Sequence, residues 1–307
     1  MSTMTARPAD DERHLLAEGP VWDAAGRRVL WVDIEAGDVL TGSLRDGKVE
    51  PQGRIHVDST VGAVVPGPDG VLLVAGGTGL FTITADGEAR PLAAVLPDGS
   101  GRRLNDGGCD PAGRFLVGSL RLDGRSDREV LVRLEDDGSL TTLDSDLTLS
   151  NGLAWSPDGT VLYSVDTHAR VVRVRDYDVA TGASGPPRPL LQVDDGFPDG
   201  LTVDADGNLW LALWAAGQVR CYSPDGAVRH VVEVDAPQTS SVAFVGDDLT
   251  TLLITTASTG MDAEQLAAHP GSGLLFTADV SPWGIRGLPM PPWNGRALLA
   301  DTGTARA

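Results

Sequence analysis

Two cysteines in 307 residues, Cys109 and Cys221, are too few and too far apart for a disulfide framework. Neither belongs to a CxxC pair, so a thiolate zinc site is not indicated and both thiols are expected to be reduced. Positive charge is scarce as well: 24 Lys plus Arg stand against 43 Asp plus Glu, a formal charge of −19, and no basic cluster offsets it. Such a chain repels phosphate backbones and anionic headgroups, which argues against nucleic acid and membrane surfaces as partners. No apolar run approaches the roughly 18 residues that span a bilayer. The first residues, Met1 to Arg13, are polar and acidic rather than signal-like, so a soluble cytoplasmic protein is expected. The GxSxG elbow, the HExxH helix and the GxxxxGK[ST] loop are all missing, which disfavours a serine esterase, a zinc peptidase and a phosphate-loop enzyme.

Long stretches with helical spacing are missing too. What is there is 38 glycines, 20 prolines and short runs of Val, Leu, Ile and Trp between turns such as Pro68-Asp69-Gly70 and Pro157-Asp158-Gly159. Five turn glycines, each followed by an apolar strand, align: Gly26, Gly70, Gly113, Gly159 and Gly207. Asp248 stands at a sixth, degenerate copy before Leu252-Leu253-Ile254. Successive anchors differ by 44, 43, 46, 48 and 41 residues, the length of a propeller blade of four short strands. The fold class is therefore all-β: a six-bladed β-propeller with four antiparallel strands per blade. One domain is expected over 1–307, with 1–12 a flexible N-terminal segment and 302–307 a flexible tail. Strands from the two ends of the chain should pair to close the ring, from Leu274 to Val280 and from the region before Glu18.

Columns counted back from each anchor show the packed side of the strand that approaches the turn. Four and six positions before it, residues are mostly apolar, and Cys109 falls here as a packed thiol. Seven before, the column Gly19, Ala63, Asp106, Gly152, Gly200 and Ser241 is mostly small, as a crowded backbone requires. Eight before, where parity predicts the packed side again, stand Glu18, Gly62, Asn105, Asn151, Asp199 and Ser240. Polar oxygens have replaced apolar side chains. The first strand of every blade lines the central channel, so these side chains converge from distant parts of the chain. Two buried carboxylates near one axis are costly unless a cation or a basic group offsets them. An all-oxygen donor set suits a hard divalent cation such as Ca²⁺, Mg²⁺ or Mn²⁺.

Each member has a bland reading when taken alone. Pro198-Asp199-Gly200 looks like an ordinary turn, Asn151-Gly152 like a hairpin, Glu18 like a solvated charge, and Arg102-Arg103 like an exposed basic pair. Joint occurrence at one repeat position is what those readings leave unexplained for Glu18, Asn151 and Asp199. The five histidines share no repeat position and receive no role.

The segments Ala17-Glu18-Gly19-Pro20-Val21-Trp22-Asp23, Arg103-Leu104-Asn105-Asp106-Gly107, Ser150-Asn151-Gly152-Leu153-Ala154-Trp155-Ser156 and Pro198-Asp199-Gly200-Leu201 resemble signature segments of the senescence marker protein, regucalcin and gluconolactonase family. The resemblance runs from near Glu18 to Gly260-Met261-Asp262. It implies a six-bladed propeller holding one divalent cation through Glu18, Asn151 and Asp199, with Ca²⁺ first and Mg²⁺, Mn²⁺, Zn²⁺ or Fe²⁺ as alternatives. It implies hydrolysis of a small-molecule sugar lactone, with Arg103 and Asn105 orienting substrate hydroxyls and, more loosely, Asp123 as a substrate contact. In chemical terms a cation polarises the lactone carbonyl, and Asp199 is the candidate general base. A cation depresses the basicity of Asp199, a tension that hydroxide on the metal could relieve. Two rivals stand beside an aldonolactonase: a broader metal-dependent esterase or organophosphate hydrolase, and a noncatalytic calcium-binding propeller. Pocket walls are expected from 121–128 and 255–271. The oligomeric state is left open.

Overall fold

The computed structural model of the chain describes residues 1–304. The last three residues of the tail expected at 302–307 lie outside the described residues, and 302–304 belong to a C-terminal helix, Arg296–Thr304. Six sheets stand around one axis, each built on four antiparallel strands. Their innermost strands are Ala17–Asp23, Ala63–Pro66, Arg102–Cys109, Ser150–Trp155, Phe197–Val203 and Thr239–Val245, in blades 1 to 6. The glycine anchors lie in the turns that leave these strands. Gly113 and Gly207 take φ of +85° and +84°, a conformation that would strain any other residue.

Burial falls from the axis outward. Every residue of Thr239–Val245 is buried, whereas Lys48–His56, the outer strand of blade 1, is mostly exposed. Between blades the second strands supply the apolar packing: Val29, Leu30, Trp31 and Val32 in blade 1, and Leu209, Trp210 and Leu211 in blade 5, are all fully buried. Each such side chain stabilises the stack by about 1.5–3 kcal/mol. Cys109 and Cys221 are free, buried thiols within this packing, Cys109 on the side its column predicts.

Five of the six innermost strands are bulged where they pass the axis. Register slips between Glu18 and Val21, Leu104 and Gly107, Asn151 and Leu153, Pro198 and Leu201, and Thr239 and Ser241. A bulge turns a side chain out of the regular alternation, and here it aims the polar column into the channel. The adjoining small residues allow neighbouring strands to approach closely. A Cβ on Gly152 would stand 2.6 Å from the carbonyl oxygen of Asp199.

The ring closes through the N-terminus. Arg7–Pro8 forms the outer strand of blade 6, with Arg7 opposite Thr277 and Pro8 opposite Phe276. Ser2–Thr5 then adds to blade 5 as a fifth, parallel strand, with Ser2 opposite His230. In place of a flexible segment over 1–12, residues 2–8 are thus strands that staple two blades together, and one blade exceeds four strands. The physical reason is that an unpaired outer edge in blade 6 would leave ladder donors and acceptors unsatisfied. Deleting residues 1–8 is expected to lower Tm by about 5–10 °C, the equivalent of a few kcal/mol in a domain of this size. Calorimetry of the truncated chain checks this, and an unchanged Tm would show that closure does not depend on these strands. Among the described residues no helix is long and apolar enough to cross a membrane.

Candidate functional site

The bulges bring Glu18, Asn105, Asn151 and Asp199 to one end of the channel, each 5% exposed. With buried Arg103 they form the polar floor of a cavity of about 260 Å³. Leu16, Ile34, Leu120, Leu149, Phe197 and Trp214 make its walls, and Arg125, Thr167 and His168 line it as well. The other two members of the column complete the circle without donating to it. The backbone of Gly62 abuts that of Asn105, and Ser240 Oγ donates to the carbonyl of Ala17 at 2.6 Å, tying blade 6 to blade 1.

Hydrogen bonding fixes which way the Asn151 amide points. Thr167 Oγ1 gives its only hydrogen to the carbonyl of Pro198 at 2.9 Å, so toward Asn151 it can only accept. Asn151 Nδ2 therefore donates to Thr167 Oγ1 at 3.2 Å and to Asp199 Oδ1. Its other atom, Oδ1, is left buried without a partner. Leaving a buried acceptor unsatisfied costs about 1–3 kcal/mol. Beside it, Glu18 accepts from the amide of Gly19 at 2.8 Å. The Glu18 and Asp199 carboxyls lie within hydrogen-bonding reach of each other.

Burial pushes Glu18 up to about 8, and the charge of Asp106 adds to this. Asp199 is held well above the ordinary carboxylate range, again by burial first and by Glu18 and Asp106 next. Two crowded carboxyls and an orphaned amide oxygen are the donor set that a hard divalent cation satisfies. Among the described residues no three His, Cys, Asp or Glu side chains gather as a metal centre. A cation at this ring would therefore rely on the amide oxygen together with the two carboxylates.

Arg103 and Asn105 work as a pair. Asn105 Nδ2 donates to the carbonyl of Ser150 at 2.9 Å, and its Oδ1 accepts from Arg103 Nη1 at 2.7 Å. Arg103 Nη1 also donates to the carbonyl of Leu104 at 2.9 Å. Asn105 thus engages both ends of its amide within the protein and aims the guanidinium. Burial lowers Arg103 to about 10, which leaves it a cation at neutral pH, opposite Glu18, Glu35 and Asp199.

Asp123 does not join them. Its side chain is 63% exposed on the surface and pairs with Arg121, with one bond of 2.9 Å to Nη2. From the same 121–128 stretch it is Arg125 that reaches the cavity. The 255–271 stretch contributes no lining residue of this cavity; its helix Ala263–Ala268 borders an adjoining surface cleft that shares Trp214 with it. Asp106 lies electrostatically beside the ring but faces a second cavity of about 330 Å³ at the opposite end of the channel, where among the described residues it is the only charged lining group. Burial raises its carboxyl to about 6, against a hydrogen bond from the amide of Gly107. Thr167, His168, Phe197 and Trp214 escaped the column reading because they sit at strand ends and in connections, outside the repeated position. The signal that marks Thr167 and His168 is their place directly after the second strand of blade 4, Val161–Asp166, at the end of the channel that holds the ring.

The model of the SMP-30/gluconolactonase/LRE-like region matches residues 16–258, from just before Glu18 to beyond the last column member. Regucalcin from Danio rerio is 34% identical over 96% of this chain and 100% of its own length. Pentonolactonase XacC from Haloferax volcanii is 34% identical over 92% of this chain and 96% of its own. Among solved structures, a calcium-binding regucalcin from Agrobacterium tumefaciens superposes with a TM-score of 0.87 at 28% identity, covering 95% of this chain and 98% of that one.

Proposed function

The chain belongs to the SMP-30/gluconolactonase/LRE-like family, and from that premise we propose that it hydrolyses a small sugar lactone with one divalent cation held by Glu18, Asn151 and Asp199. The observation that carries the reading is the Asn151 oxygen left without a partner beside two carboxyls that burial disfavours. Ca²⁺ fits the all-oxygen set best, and Mg²⁺, Mn²⁺, Zn²⁺ and Fe²⁺ are the alternatives. The printed description of the Agrobacterium relative as calcium-binding supports the ion, and the name of the Haloferax relative supports the substrate class.

Bound at the ring, the cation supplies Lewis-acid polarisation of the ester carbonyl. The chain's own groups do the rest. The Arg103 donors not engaged by Asn105 and Leu104 hold ring hydroxyls or the developing oxyanion through a fixed fork. Asp199 takes a proton from water as its oxygen attacks the carbonyl carbon, and returns that proton to the ring oxygen as the carbon–oxygen bond breaks. Phe197, Trp214 and the leucine walls limit the water that reaches the reacting ester.

A substrate panel tests this: glucono-1,5-lactone and pentonolactones, with p-nitrophenyl acetate and paraoxon beside them, all with Ca²⁺ present. Opening of an aldonolactone at least about 10³-fold above the spontaneous rate is expected, within the range that general-base and electrostatic terms supply. Turnover of the aryl ester or paraoxon alone would favour the broader hydrolase. Calcium binding with no turnover of any substrate would favour a noncatalytic binding protein.

A further inference from the structure

Most arginines of this chain are tied to carboxylates. On the neighbouring strands Arg102 pairs with Glu129 at 2.9 Å, Arg121 with Asp123, and Arg173 with Asp166 at 3.0 Å. Arg125 is different: among the described residues no carboxylate lies within ion-pair distance of it, although Asp123 and Asp127 are two residues away on either side. Arg125 is exposed at the rim of the cavity, so its guanidinium is open to whatever enters the mouth.

One further group lines that side, and another packs against it. His168 lines the same cavity, close enough to feel the Arg125 charge, and its Nδ1 is buried with no partner. Burial and Arg125 both lower its pKa, so at neutral pH the ring is uncharged and offers one N–H. Arg170, outside the lining itself, lies 4.4 Å over the ring of the wall residue Phe197, and its side chain donates to the carbonyl of Asp194 at 3.1 Å. The carboxylates of the cavity are elsewhere. Glu18 and Asp199 lie on the floor, and Glu35, outside the lining, accepts from the Thr259 hydroxyl at 2.8 Å. The cavity thus has a floor that carries two carboxyls beside Arg103 and, on a separate wall from blades 3 and 4, the Arg125 guanidinium next to His168.

A neutral sugar would use the imidazole but leave the Arg125 charge unanswered. We propose that the lactone for which this cavity is built carries an anionic group, carboxylate or phosphate, on the carbon chain distal to the ring ester, and that Arg125 pairs with that anion while His168 hydrogen-bonds to it. The guanidinium fork matches either anion, and the adjacent imidazole sets its distance from the floor. This rests on the lactonase reading given above and names the substrate class for the same site.

The test compares kcat/KM for glucono-1,5-lactone, 6-phosphoglucono-1,5-lactone and glucaro-1,4-lactone in Ca²⁺ at low salt, for the native chain, Arg125→Gln and His168→Leu. One of the two anionic lactones is expected to exceed the neutral one by about tenfold or more, the weight of one charge-assisted pair, and which of them does so identifies the anion. That ratio should collapse toward one in Arg125→Gln and fall partway in His168→Leu. Equal or poorer use of both anionic lactones by the native chain would overturn the inference. So would an Arg125→Gln variant that loses the same factor on every substrate. If no lactone is opened at all, the lactonase reading fails, and the inference is decided by calorimetry with Ca²⁺ present. About tenfold tighter binding of 6-phosphogluconate or glucarate than of gluconate, lost in Arg125→Gln, would sustain the anion site, and equal binding would refute it.

Discussion

Asp199→Asn is expected to lower kcat for lactone opening by about 10³-fold or more. Removing a positioned general base costs about 10²–10⁴-fold, and here the same change weakens one of two anionic ligands to the cation. The substitution keeps side-chain volume, so the packing of Phe197–Val203 against its neighbours should survive. It also replaces a carboxyl that burial and Glu18 already disfavour in its charged form with a neutral amide. Tm measured in chelator should therefore not fall. The pairing of lost turnover with retained Tm separates a chemical role for Asp199 from a structural one. Activity within a few-fold of the native chain would remove Asp199 from the reaction.

Chelation is expected to have the second large effect: stripped protein should open lactones at the spontaneous rate, and one of Ca²⁺, Mg²⁺, Mn²⁺, Zn²⁺ or Fe²⁺ should restore turnover. Glu18 and Asp199 share a buried site that disfavours both negative charges, so the ring without a cation is energetically poor. An ion that binds only the folded state adds about 2.7 kcal/mol at a hundred times its Kd, so Tm should rise on re-supply together with the rate. Hydrolysis that persists unchanged in chelator would contradict the mechanism, whatever the substrate.

The parts of this site that repeat were legible in the sequence, and the parts that occur once were not. Glu18, Asn151 and Asp199 occupy one position of a motif that returns every 41 to 48 residues, and circular stacking turns equal positions into neighbours. The small column beside them told of crowding, and Gly152 against Asp199 shows it. The bulges were not visible, because a residue inserted against one partner strand leaves no mark in the apolar alternation at this resolution of pattern. The parallel strand Ser2–Thr5 was missed because it is polar and half exposed; its order comes from the edge of blade 5, not from its own residues. Asp123 was placed by a loose family resemblance just after the third-blade strand, and its nearness to Arg121 instead gives it an ion pair at the surface. Arg125, three positions beyond Leu122, reaches the cavity from the connection between blade strands, where no periodicity constrains direction. The closure through the segment Leu274 to Val280 was legible for a simple reason: blade 6 lacked a strand, and only the other end of the chain could supply it.

The central claim is that Glu18, Asn151 and Asp199 surround one ion, and a crystal structure grown in saturating Ca²⁺ tests it most directly. Anomalous density is expected between the three side chains, about 2.3–2.6 Å from Asn151 Oδ1 and from a carboxylate oxygen of Glu18 and of Asp199. An ion bound elsewhere, or an Asn151 oxygen still without a partner at saturation, would contradict it.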